Sequence, residues 1–256
     1  MILNVIEAGS GPPLVLLHGL FGTARNLGVL SRALSTQFRV LAMDLRNHGH
    51  SPHAAKMSYR LMAEDVAETL AARGIARAAV VGHSMGGKTA MMLALTRPEM
   101  VTRLAVLDIA PLTYSHEYDD YVRAMLALPL TPGLTRGEAD AALAKTVKAA
   151  PMRAFLLNNL VLGEAPHWRM GLREIADNMA ELLRWDDPPG LRPYPAPALF
   201  LCGGDSDYVP PSAEPEILSR FPRAVIRRIP GAAHWLHADK PREVIAALRE
   251  FFTDAG

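Results

Sequence analysis

The chain lacks most of the features that would place it in a specialised class. It has one cysteine, Cys202, so no intrachain disulfide can form and a reducing compartment is expected. No apolar run approaches the roughly 20 residues needed to span a bilayer. The opening Met1-Ile2-Leu3-Asn4-Val5-Ile6-Glu7 shows no basic segment leading into an apolar core, so no secretory signal is expected. Charge of one sign is also missing. The 27 Lys and Arg against 26 Asp and Glu leave a net +1 without basic or acidic blocks, which argues against nucleic acid or an anionic membrane as partner. No repeat, low-complexity tract or metal-ligand spacing is present, and neither a metal nor an organic cofactor is expected. These absences leave a cytoplasmic, soluble protein, monomeric or homodimeric, acting on a small molecule.

What is present is patterned apolar sequence. Half of the 256 residues are hydrophobic and 21% are charged, enough for one large domain with a sizeable core. Leu14–Leu17, Val40–Met43, Ala79–Val81 and Leu104–Leu107 are near-continuous apolar runs, as in strands buried on both faces of a parallel sheet. Helical patterns separate them over Leu27–Leu34, Arg60–Arg73 (with Ser58 as N-cap) and Met85–Thr96. The rhythm predicts an α/β fold with a doubly wound, mostly parallel sheet. From about Leu112 to Pro195 the strand signal disappears into an Ala-, Leu- and Met-rich stretch broken by prolines. Strand pattern resumes at Ala198–Leu201 and Val225–Ile229, before a helix over Pro241–Phe252. The expected organisation is a core of residues 1–111 and 196–256 with a helical cap insertion, 112–195.

Gly82-His83-Ser84-Met85-Gly86 falls between a strand and a helix. A serine at such a turn adopts a strained backbone that small flanking residues tolerate, and its oxygen is exposed at the carboxyl edge of the sheet. Ser84 is therefore the candidate nucleophile. It needs a base, and His234, in Gly231-Ala232-Ala233-His234 after the last strand, occupies the matching position in chain order; His237 is a weaker candidate. The loop His18-Gly19-Leu20-Phe21-Gly22 follows a buried strand and can supply a second oxyanion amide beside that of Met85. Leu20 is assigned to it, with Phe21 as the near alternative and His18 shaping the turn.

These motifs resemble the α/β-hydrolase superfamily over the whole chain. Asp44-Leu45-Arg46-Asn47-His48-Gly49-His50-Ser51-Pro52-His53, Gly82 to Lys88 and Leu107-Asp108-Ile109-Ala110-Pro111 also resemble a smaller esterase family. That family includes bacterial short-chain acyl esterases and animal abhydrolase-domain-11 proteins, and it implies hydrolysis of carboxylic esters or acyl thioesters. The superfamily's usual acid position, four residues before Pro210, here holds Ser206, flanked by Asp205 and Asp207. Serine cannot stabilise an imidazolium as a carboxylate does. The resemblance points instead to Asp108, with Asp207 and Asp205 as alternatives.

The expected chemistry is cleavage of esters or thioesters of small to medium acyl chain through an acyl-enzyme. Carbon–carbon bond hydrolases, cofactor-free haloperoxidases and acyltransferases share the serine, and a receptor or scaffold retaining the pocket is the non-enzymatic alternative. Phe21, Phe155, Trp168 and Trp235 are the candidate pocket residues. The histidine-rich loop at 44–53 is expected to brace the rim, and Lys88 to pair with a carboxylate.

Overall fold

Val80 and Val81 are adjacent, fully buried, and belong to different hydrophobic clusters on opposite faces of one sheet. The continuous apolar runs follow from this: when both faces are covered, every residue of a strand needs an apolar side chain. The computed structural model describes residues 1–115 and 118–253; the parts of the expected cap and core at 116–117 and 254–256 lie outside them.

In chain order the core elements are β1 (Val5–Ala8), β2 (Pro13–Leu17), α1 (Gly28–Leu34), β3 (Arg39–Met43), α2 (Tyr59–Ala72), β4 (Ala78–His83), α3 (Met85–Thr96) and β5 (Val101–Leu107). A second group follows: α4 (Tyr118–Leu126), α5 (Arg136–Leu143), α6 (Ala150–Leu156), β6 (Leu160–Val161), β7 (His167–Trp168), α7 (Leu172–Asp177) and α8 (Met179–Leu183). The core then resumes with β8 (Ala198–Gly203), α9 (Glu214–Arg220), β9 (Ala224–Ile229), α10 (Leu236–Asp239) and α11 (Pro241–Thr253).

The seven-stranded sheet has the order β1-β3-β2-β4-β5-β8-β9, parallel except for β1. The chain steps from β2 outward to β3, then crosses back to β4 on the other side of β2. Open α/β sheets place their ligands outside the carboxyl ends of the strands at such a reversal. Leu27, Leu30 and Leu34 share one face with Val244 and Leu248 of α11; Met62, Val66 and Leu70 of α2 cover the other with α3.

Three strands depart from the sequence expectation. β1 was not expected, because an edge strand covered incompletely has no continuous apolar run; Ile6 and Glu7 are exposed. The helical stretch also contains the short antiparallel ribbon of β6 and β7, pairing Leu160 with Trp168 and Val161 with His167. At two residues per strand, a period-2 pattern has no room to show.

Candidate active site

The parallel register builds the site. Leu17 at the end of β2 pairs with Gly82 of β4, and His83 at the end of β4 pairs with Leu107 at the end of β5. Three consecutive strand ends therefore deliver the 18–22 loop, Ser84 and Asp108 to one edge. Ser84 and Asp108 both hold positive φ, 51° each, and their amides anchor to the next strand: Ser84 N–H to Leu107 O (3.1 Å) and Asp108 N–H to Leu201 O (2.8 Å).

The glycines around Ser84 are required by close approach. A Cβ on Gly82 would lie 2.1 Å from Gly86 O, and one on Gly86 would lie 2.3 Å from Leu17 O. Each side chain would collide with backbone, which cannot swing aside. Met85 then opens α3, so its N–H has no acceptor within the helix.

His234 reaches in from the loop after β9. Its Nδ1–H donates to Asp108 Oδ2 at 2.8 Å, and Ser84 Oγ donates to its Nε2 at 3.0 Å. Asp108 is buried and also accepts from Gly203 N–H (2.8 Å, at Oδ1) and from the Ser206 hydroxyl (at Oδ2). The Tyr208 ring stacks on the His234 imidazole, centroids 3.6 Å apart and planes within 14°. His83 Nε2–H donates to His234 O (2.9 Å), fixing the loop from below. Asp205 and Asp207, the alternative acids, are exposed and do not reach His234. His237 packs its ring against His83, and burial lowers its pKa to about 4. Cys202 is buried and its thiol is pushed up to about 12, also by burial, so it is not a competing nucleophile.

The 18–22 loop is held by two neutral histidines. His18 Nδ1–H donates to Gly19 O (2.8 Å), while its Nε2 accepts from Leu45 N–H (3.0 Å). His48 Nδ1–H donates to Arg46 O (2.9 Å), and its Nε2 accepts from Phe21 N–H (3.2 Å). A ring that must donate at one nitrogen and accept at the other is neutral. Burial reinforces this by lowering both pKa values, that of His48 to about 3. Gly19 O also accepts from Gly22 N–H (2.9 Å). In a trans peptide the C=O and N–H point in opposite directions, so two donors on Gly19 O turn the Leu20 N–H the other way. Among the described residues that N–H meets no acceptor, whereas the Phe21 N–H, the near alternative, is taken by His48. Asn159 Nδ2 pins Phe21 O from the other side (2.8 Å).

The rest of the 44–53 loop is similarly committed. Asp44 accepts from Ala24 N–H, His50 N–H and Asn4 Nδ2; burial opposes its charge, but these donors outweigh it and hold its pKa below the ordinary value. Arg46 makes a two-point pair with Asp65 (2.6 and 2.8 Å), both side chains buried.

Two cavities meet at Ser84. The outer one, about 320 Å³, is lined by Phe21, Phe155 and Trp235 as expected. Trp168 lines neither: its Nε1–H donates to Met125 O (3.1 Å) and the ring packs inside the 118–183 region. A buried indole N–H needs an acceptor, and this one found it away from the cleft. The inner cavity, about 30 Å³, includes Lys88 in its wall. Among the described residues Lys88 pairs with no carboxylate; its Nζ donates to Leu183 O (3.2 Å) and Arg184 O (3.1 Å) and faces the rings of Tyr59 and Tyr114. Burial lowers its pKa to about 7. Sequence reasoning gave Tyr208 no role, read Lys88 only as an ion-pair partner, and saw in Ser206 only a vacated acid position; that position was the one signal that Ser206 lies at the site.

An open α/β sheet with a serine at a strand-to-helix turn, hydrogen-bonded to a late histidine, defines a hydrolase class, and the comparisons agree. The alpha/beta hydrolase fold family matches residues 12–241, and the chain belongs to it. It is 42% identical over 249 residues to the sn-1-specific diacylglycerol lipase ABHD11 of Mus musculus, covering 94% of this chain and 80% of that one. It is 37% identical over 243 residues to the esterase YbfF of Escherichia coli, covering 94% and 93%. A solved marine microorganism esterase superposes with a TM-score of 0.94 at 36% identity, covering 98% of this chain and 99% of that one.

Proposed function

We propose that Ser84, His234 and Asp108 are the catalytic triad of this chain and that the Leu20 and Met85 amides form its oxyanion hole. The chain is an enzyme of the ester-cleaving serine hydrolase class. The observation that carries the residue assignment is the continuous chain of hydrogen bonds from Ser84 Oγ through the His234 ring to a buried carboxylate. At its Ser84 end lie the Leu20 and Met85 N–H groups, which meet no acceptor among the described residues.

In this mechanism His234 Nε2 takes the Ser84 proton as Oγ bonds to the substrate carbonyl carbon. The carbonyl oxygen becomes an oxyanion held by the Leu20 and Met85 N–H groups, each contributing roughly 100- to 1,000-fold to the rate. His234 carries its new charge between Asp108 and the Tyr208 face, then returns the proton to the leaving oxygen or sulfur. Water repeats the sequence in reverse on the acyl-enzyme and releases the acid. Residues 112–195 serve as the cap over this edge.

The test is labelling and turnover together. Wild-type protein should react with a fluorophosphonate probe and hydrolyse p-nitrophenyl esters or acyl thioesters; Ser84→Ala should do neither. Labelling that survives Ser84→Ala would refute the assignment.

A further inference from the structure

Both cavities open on Ser84, but they differ in which half of the mechanism they touch. His234 lines the outer cleft and is absent from the inner wall, whereas Met85 lines the inner pocket and is absent from the outer one. The proton that His234 returns must reach the leaving atom, and general acid transfer needs hydrogen-bond distance. With the carbonyl oxygen at the Leu20 and Met85 amides, the leaving group then lies on the His234 side and the acyl chain opposite.

We propose that the inner pocket is the acyl subsite and the outer cleft the leaving-group subsite, so that the enzyme prefers short acyl groups carried on much larger alcohols or thiols. This rests on the ester-hydrolase reading above. The volumes set the scale. About 30 Å³ against about 320 Å³ leaves the inner pocket room for about two water-sized groups, hence acyl chains of roughly two to four carbons.

The end of the inner pocket is polar and braced. Lys88 Nζ is held by Leu183 O and Arg184 O between two tyrosine faces. The Tyr59 hydroxyl donates to Leu182 O, and the Tyr114 hydroxyl donates to Tyr208 O (2.7 Å). An alkyl chain that reached this wall would have to break hydrogen bonds to a buried ammonium without replacing them, a cost no methylene recovers. The far end is therefore closed by a fixed polar network, and the apolar flank sets the room left beside it. Leu182 and Ile109 supply the apolar flank on which a short chain packs.

The test is kcat/KM for p-nitrophenyl esters from acetate to decanoate, beside acetyl esters and thioesters of increasing leaving-group size. Specificity should peak at or below butyrate and fall at least about tenfold by octanoate, the scale expected when added methylenes do not fit. The leaving-group series should stay within about that same factor. Leu182→Ala should move the acyl optimum to longer chains and leave the leaving-group profile unchanged; Phe155→Ala should do the reverse. If a variant fails to fold, the wild-type series alone decides. An optimum at octanoate or longer, or a Leu182→Ala effect on leaving groups alone, overturns the subsite assignment and spares the hydrolase reading. Absence of turnover across the whole panel overturns both.

Discussion

Ser206 donates its hydroxyl to the same Asp108 oxygen that accepts the His234 Nδ1–H. The position that usually holds the acid carries a hydrogen-bond donor to the carboxylate proposed here as the acid. Asp108 is thereby oriented by three donors from two segments: Gly203 N–H and Ser206 at the end of β8, and His234 after β9. Exchanging this acid should disable catalysis: Asp108→Asn is expected to cut kcat roughly ten-thousand-fold by favouring the wrong imidazole tautomer. Asp207→Asn, at an exposed position with no hydrogen bond to His234, should change kcat less than about twofold, within the range of neutral surface substitutions. Steady-state kinetics of the pair decides, and the opposite ranking would discard the triad.

Ser206→Ala removes one donor from a buried carboxylate that keeps two others. A hydrogen bond to a charged group contributes about 1.5–3 kcal/mol, and the low end applies where partners remain. The expected outcome is a kcat lower by roughly tenfold with KM nearly unchanged. Loss as large as that of Asp108→Asn would mean that Ser206 does more than orient the acid.

His18→Ala should act on the rate through a peptide that His18 itself only orients. Without the His18 donor, Gly19 O keeps only the Gly22 N–H, so the peptide that aims the Leu20 N–H is held less firmly, and Leu45 N–H loses its acceptor. A fall in kcat of roughly a hundredfold with little change in KM is the signature of a lost oxyanion donor. His18→Asn, which can still donate to Gly19 O, should recover part of it. Equal losses in both variants would leave His18 a packing residue.

Gly86→Ala places a methyl 2.3 Å from Leu17 O. Strand β2 and helix α3 would have to separate, so the unfolding free energy should fall by about 3 kcal/mol or more in an overpacked core. Urea titration measures it; a stable, active variant would show that the turn is looser than this geometry.

Lys88 should make stability rise with pH above neutrality. Its folded pKa lies near 7 against an ordinary 10.5, so across that window the unfolded chain binds more protons than the folded one. Unfolding free energy then increases with pH through the window and levels off above it. Burial drives this, against the two carbonyls and two tyrosine faces that favour the charged form. Lys88→Met should flatten the slope in urea melts taken at steps through the window. An unchanged slope would place the effect elsewhere.

The sequence by itself determined the features that depend on neighbours along the chain. Ser84 between Gly82 and Gly86 is legible because the turn's sterics act within five residues, and β4 and α3 show in apolar periodicity on either side. His234 was legible from chain order after the last strand, and Leu20 from its place just past a buried strand. Tertiary structure decided what no local pattern encodes. Asp108, the proposed acid, is set beside Ser84 by the register of β4 and β5 and bonds His234, while Asp205 and Asp207 in the next loop are exposed. Phe21 gave up its amide to His48, 27 residues distant in sequence, leaving that of Leu20. Lys88 found carbonyls 95 and 96 residues away in place of a carboxylate. Trp168 turned into the 118–183 region toward Met125. In each case a buried polar group had to find a partner, and only the folded packing determines which donors and acceptors come within reach.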